Sequence, residues 1–200
     1  MRPQHEVLDA LFRANVRHLL VGIAGANCWA HDGSLVVATS THEILVEPEP
    51  RALRAAWTAL RELGYTLREN AERIPDPFAP YYAESVAREG RSTTAYRMRD
   101  RTLVEVHTAL HGHSFDEAWS ARRTFRAGEI QLDVARLAHI LDAAWARDRR
   151  FDRLLVATWS QGMHDLLEPD PEWTKFLLER RARLHAERAP LAESHTEFSK

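Results

Sequence analysis

The feature that most restricts this chain is a short apolar run, residues 17–22 (RHLLVG), that ends on a glycine. A run of this kind reads as a buried strand. Gly22 and Gly25 tolerate the backbone angles of a tight turn, so the strand is expected to pass sharply into a short helix over residues 26–30. A second apolar run covers residues 43–46 and is closed by Pro48 and Pro50. Two buried strands separated by a glycine turn need a sheet covered by helices, and the rest of the chain supplies them.

Val7, Leu8, Leu11 and Phe12 recur at helical spacing, which predicts an amphipathic helix over residues 4–15. Pro50 suits a helix start, and Leu53, Trp57, Leu60 and Leu63 line one face of that helix until Gly64. Residues 65–67 return as a strand. Residues 69–91, with Pro75, Pro77 and Pro80, read as a long loop. Residues 93–98 and 103–107 alternate as a β-hairpin, and residues 123–133 form another around Ala127-Gly128. Helices are expected at 115–122, 135–147 and 151–161, and from Asp170-Pro171-Glu172 to about residue 188. The fold class is therefore α/β (α+β), a mixed sheet flanked by helices. It divides into an α/β part over 1–134, a helical region over 135–189 and a flexible tail over 190–200.

Composition narrows the function. The formal net charge of −2 gives no global attraction for DNA or an anionic membrane. No run of about 18 apolar residues reads as a transmembrane helix. The one cysteine, Cys28, has no internal disulfide partner, so a cytoplasmic location is expected. The first lysine is Lys175, so arginine must serve wherever a phosphate needs a cation before it.

The candidate chemistry lies in a constellation. Gly22-Ile23 ends the first strand. Residues 39–46 (TSTHEILV) follow, then Leu63-Gly64-Tyr65 at a helix end. Val104-Glu105-Val106 lies on a later strand, Gly112 and Phe115 follow it, and Arg149-x-x-Asp152 comes last. In this order the chain resembles the nucleotidyltransferase superfamily over roughly residues 5–160, especially small bacterial members related to abortive-infection toxins and uncharacterised groups. The resemblance implies a glycine turn at Gly22 and Gly25 that lets the backbone approach nucleotide phosphates, with Arg149 as a further phosphate contact. It implies Mg²⁺ (or Mn²⁺) with NTP, held by Glu43 and Glu105, since hard cations bridge carboxylates to phosphates.

The pattern is incomplete. Thr41 stands where the first aspartate is usual, Ile23 where a second glycine or a serine is usual, and Phe151 where lysine is frequent. Asp32, in the preceding loop, is the nearest carboxylate that could replace Thr41. The resemblance thus implies either transfer of a nucleoside monophosphate from NTP to a hydroxyl acceptor at weakened activity, with Thr41, Glu43 and Glu105 catalytic, or an inactive relative that binds a nucleotide or a protein.

Other residues carry weaker signals. His107, His111 and His113 have zinc-like spacing, but with no cysteine or close fourth ligand they read as a strand-end histidine and two loop histidines. His42 should face away from Thr41 and Glu43. Arg147, Arg149, Arg150 and Arg153 either reach a triphosphate or form a solvated helix junction. Trp173, Phe176, Leu177 and Leu184 read as core or as a homodimer contact.

Overall fold

The computed structural model describes residues 3–30, 36–37, 39–74, 80–127 and 130–160. The described chain runs α1 (Pro3–Arg13), β1 (His18–Val21), α2 (Gly22–Asn27), β2 (Thr41–Val46), α3 (Pro50–Glu62), β3 (Thr66–Glu69), β4 (Glu72–Arg73) and α4 (Pro80–Glu89). It continues through β5 (Thr93–Arg97), β6 (Thr102–His107), α5 (Phe115–Ser120), β7 (Arg123–Ala127), β8 (Ile130–Val134), α6 (Leu137–Arg147) and α7 (Arg150–Ser160). The strands form one mixed sheet in the order β4-β3-β5-β6-β2-β1-β8-β7.

The apolar run of β2 explains its central place. Ile44, Leu45 and Val46 are all buried, which requires cover on both faces. β2 pairs antiparallel with β1, Val21 opposite Glu43, and parallel with β6, Glu43 opposite Glu105. β5 and β6 form the expected hairpin, as do β7 and β8.

α3 buries Leu53, Ala56, Trp57 and Leu60. The Trp57 indole N–H donates to Thr93 Oγ1 at 3.0 Å, which ties this helix to β5. In α1, Val7, Leu8 and Leu11 enter the core, but Phe12 is 77 % exposed. A helix turns about 100° per residue, so the stripe centred on Leu11 carries Phe12 outward.

Two sequence expectations are corrected. The helix placed at residues 26–30 begins earlier, at Gly22, directly at the strand end. Residues 69–91 are not a continuous loop: they contain β4 and the ten-residue helix α4. Its fully buried residues, Ala83 and Val86, are small and gave no strong apolar period beside three prolines, while Tyr82 packs against Trp57. The helix expected from Asp170, its apolar stripe, the tail and Asp32 lie outside the described residues.

α6 joins the same core through Leu137, Ile140, Leu141 and Ala144. α2 is pressed between it and the sheet. A Cβ on Gly25 would lie 2.8 Å from the Leu20 carbonyl oxygen and 3.1 Å from Ile140 Cδ1. Asp148, at φ 48°, caps α6 in the left-handed region, and the chain turns into α7 with Arg149 between the two helices. That turn is what aims this region at the sheet. Among the described residues no helix is long and apolar enough to cross a membrane.

Candidate active site

Side chains two apart on a strand share a face, and paired residues in adjacent strands stand side by side. Thr41 and Glu43 on β2 therefore face the same way as Glu105 and His107 on β6, because Glu43 is registered against Glu105. His42 alternates to the other face. Thr41, Glu43 and Glu105 line one cavity of about 220 Å³ with Ile23, Thr39, Ser40 and Arg149. The structure thus brings together the three residues named from the sequence.

Gly22 is what permits this approach. It has φ +60°, and a Cβ there would fall 2.3 Å from Glu43 Oε1. Any side chain at position 22 would collide with the carboxylate as well as strain the turn. Gly25 meets the core instead, as described above, and is not among the cavity-lining residues.

Two arginines close over the carboxylates. Arg147 Nη1 donates to Glu43 Oε2 at 2.6 Å, and its Nη2 donates to Asp152 Oδ1 at 2.9 Å. Arg149 Nη1 donates to Glu105 Oε2 at 2.9 Å and its Nη2 to Glu43 Oε2 at 3.3 Å, while its Nε donates to Asp152 Oδ2 at 2.8 Å. The four arginines of this region therefore divide. Arg147 and Arg149 enter the site, Arg153 pairs with Asp148 at the surface, and Arg150 is exposed.

His107 completes the cluster. Its Nδ1 is 2.7 Å from Ser92 Oγ. Its Nε2 lies 3.3 Å from Glu43 Oε2 and 3.5 Å from Glu105 Oε2. This buried nitrogen makes no well-aligned hydrogen bond and sits in ion-pair contact with both carboxylates at the outer limit of hydrogen-bond distance.

Ionisation follows from these neighbours. Burial pushes the Glu43 carboxyl up, but His107, Arg147 and Arg149 together outweigh it and hold it at about 2. Glu105 is also lowered: burial opposes this, and His107 and Arg149 prevail. Burial pulls His107 down, yet Glu105 and Glu43 leave it raised. Both carboxylates are thus anionic at neutral pH. Burial lifts the Cys28 thiol to about 11, so it stays protonated and offers no nucleophile.

One ligand atom each from Glu43, Glu105 and His107 lies within 4.8 Å of the others. With an orphaned, buried imidazole nitrogen aimed between two carboxylates, this donor set fits one divalent cation. The Ser92 contact on the far ring nitrogen is the orienting partner such a histidine needs.

The three histidines do not converge on one site. His107 enters the cleft, His111 is exposed, and His113 pairs with Asp142 at 3.1 Å and stacks on His139. Sequence reasoning missed His107 as a partner of the two glutamates. The signal was available in its position two residues after Glu105 on one strand. A larger hollow of about 420 Å³ between α1 and β8 is lined by Phe12, His18, Arg126 and Asp133, among others. Asp9 lines it as well as Asp133, but among the described residues no cluster of three metal-ligating side chains forms there.

The mixed α/β sheet and its helices define a nucleotidyltransferase-like fold. Among solved structures, the chain is similar to the antibiotic-resistance factor ANT(2'')-Ia, a nucleotidyltransferase, with a TM-score of 0.53. The likeness covers 97 % of this chain and 95 % of that one at 15 % identity, so it is a likeness of fold. No protein family and no curated protein matches the sequence.

Proposed function

We propose that this chain binds a nucleoside triphosphate with one divalent cation, Mg²⁺ or Mn²⁺, in the β2–β6 cleft, and transfers the nucleoside monophosphate to a hydroxyl acceptor at a strongly reduced rate. The observation that carries this reading is Glu43 directly opposite Glu105, both ionised, in one cleft with Thr41. Glu43, Glu105 and His107 would hold the cation, and Arg149 would contact phosphate. When bound, the cation offsets the negative charge of the phosphates and of the leaving pyrophosphate.

In the transfer, the acceptor oxygen bonds to the α-phosphorus. The bond from that phosphorus to the oxygen bridging it to the β-phosphate breaks, pyrophosphate departs, and the hydroxyl proton passes to solvent. The rate is low because Thr41 cannot bridge a second cation, whose charge stabilisation is worth several kcal/mol.

The arginines resting on both carboxylates favour a second reading, a catalytically inactive protein that binds a nucleotide or a protein partner. Radiolabelled NTP turnover across all four bases separates the two. Slow wild-type transfer that Glu43→Ala abolishes and Thr41→Asp accelerates supports the enzyme. No turnover, with NTP still raising the melting temperature, supports the inactive nucleotide binder. Turnover indifferent to Glu43→Ala would place the site elsewhere.

A further inference from the structure

Arg147 and Arg149 bind the same carboxylates from different settings. Arg147 belongs to the last turn of α6, and its side chain is 22 % exposed. Arg149 belongs to neither helix, and its side chain is 44 % exposed at the rim of the cavity. Arg147 reaches Glu43 alone of the pair, whereas Arg149 spans Glu43 and Glu105. The same two carboxylates, with His107, are those that would ligate a divalent cation.

We infer that Arg149 is a displaceable internal cation: it and a divalent metal compete for Glu43 and Glu105, and the guanidinium freed by metal entry is captured by the nucleotide's phosphates, so that metal and nucleotide bind cooperatively. This rests on the nucleotide-plus-cation reading of the cleft.

Charge makes the competition obligatory. Two largely buried carboxylates this close need a cation, and burial makes an unpaired charge costly. Arg149 meets that need before any metal arrives. A metal entering the same oxygens places two positive groups in contact, and the more exposed one yields. Asp152 holds both guanidiniums, Arg147 at 2.9 Å and Arg149 at 2.8 Å, so exposure decides: Arg149 lines the cavity and is the more exposed, and it is the group that leaves Glu43 and Glu105 while keeping Asp152.

Volume points the same way. The cavity of about 220 Å³ is smaller than the roughly 300–1,000 Å³ common for ligand pockets. Withdrawal of Arg149 from its wall enlarges it. A guanidinium removed from two carboxylates needs a new anion, and a triphosphate offers bidentate oxygens. Metal alone must therefore strip Arg149 from both glutamates and leave it only Asp152, whereas metal with triphosphate supplies a new anion.

The test is Mn²⁺ binding by electron paramagnetic resonance on the full chain, with and without a non-hydrolysable α,β-methylene triphosphate. The expected wild-type result is weak Mn²⁺ binding that the analogue tightens by about tenfold, an ordinary coupling between sites. Arg149→Ala should bind Mn²⁺ about tenfold more tightly without the analogue and lose most of the coupling. Arg149→Lys, which keeps a cation, should stay near wild type in both and serves as the folding-competent comparison if alanine unfolds the junction. Arg153→Ala, an exposed pair outside the site, should change neither. Unchanged or weaker Mn²⁺ binding in folded Arg149→Ala, or coupling that survives it, overturns the inference while leaving the cleft as a metal and nucleotide site. Failure of Mn²⁺ and the analogue to bind wild type and all variants overturns the underlying reading as well.

Discussion

Two arginine–carboxylate clusters stabilise this fold, and they are built differently. The first centres on Arg97, which is almost fully buried. Its guanidinium donates to both oxygens of Asp100 and to the Leu63 carbonyl, contacts Glu6 at 2.8 Å and lies over the Tyr65 ring. One cation has its donors taken by groups from α1, the end of α3 and the β5–β6 turn. The second cluster gathers Glu43, Glu105 and Asp152 against Arg147 and Arg149. It borders a cavity and leaves His107 Nε2 without a hydrogen bond. A cluster that only fastens elements together can close on itself. One that leaves an orphaned nitrogen and a half-exposed cation beside a cavity has room for a ligand.

The sharpest way to break this contrast is Arg97→Ala. Removing a buried guanidinium from its partners should destabilise the chain by about 3 kcal/mol, read by denaturant unfolding. Mn²⁺ binding by the folded fraction should not change. A selective loss of metal affinity would mean that the first cluster is not purely structural.

Acid should act strongly on the second cluster. The folded Glu43 carboxyl is depressed to about 2 from an ordinary value of 4.5. As pH falls, the unfolded state therefore takes up this proton first. The stability contributed by Glu43 is complete above about 4.5 and is lost as pH falls toward 2. It amounts to roughly 3 kcal/mol at about 1.4 kcal/mol per unit. Glu43→Gln should flatten this part of the pH–stability curve. An identical curve would show that the arginines do not hold the carboxylate as the geometry implies.

A smaller effect is expected from Thr41→Asp. A third carboxylate on the same face should tighten Mn²⁺ by about tenfold, or ~1.4 kcal/mol. Looser binding would show that Thr41 does not face the cation position. The smallest effect is expected from Ser92→Ala, which removes the oxygen at 2.7 Å from His107 Nδ1. It should cost ~1 kcal/mol of stability and broaden the histidine's NMR signals as the ring loses its orientation.

The cleft was partly legible before any coordinates. Thr41 and Glu43 share a face because strands alternate, and the resemblance that singled out Glu105 also named its neighbouring strand. Arg149 was expected near phosphate, but its contacts with Glu43 and Glu105 were not foreseen. α4 was hidden because only Ala83 and Val86 on it are fully buried, too small to stand out as a period beside the prolines, although Tyr82 also packs against Trp57. His107 reads from the sequence as a strand-end histidine, and its place two residues after Glu105 on one strand is what links it to that carboxylate.

Local order in the sequence determined the strand faces, the glycine at the end of β1 and the stop of α3 at Gly64, because these depend on side-chain alternation and backbone freedom among near neighbours. Tertiary structure alone decided that Arg147 lies 2.6 Å from Glu43, a residue 104 positions away. It also decided that α6 comes close to α2 at Gly25, where a Cβ would lie 3.1 Å from Ile140 Cδ1. The physical reason is range. Periodicity is set within a few residues, whereas an ion pair across a sheet requires the register of β2 on β6 and the left-handed turn at Asp148 to agree in space.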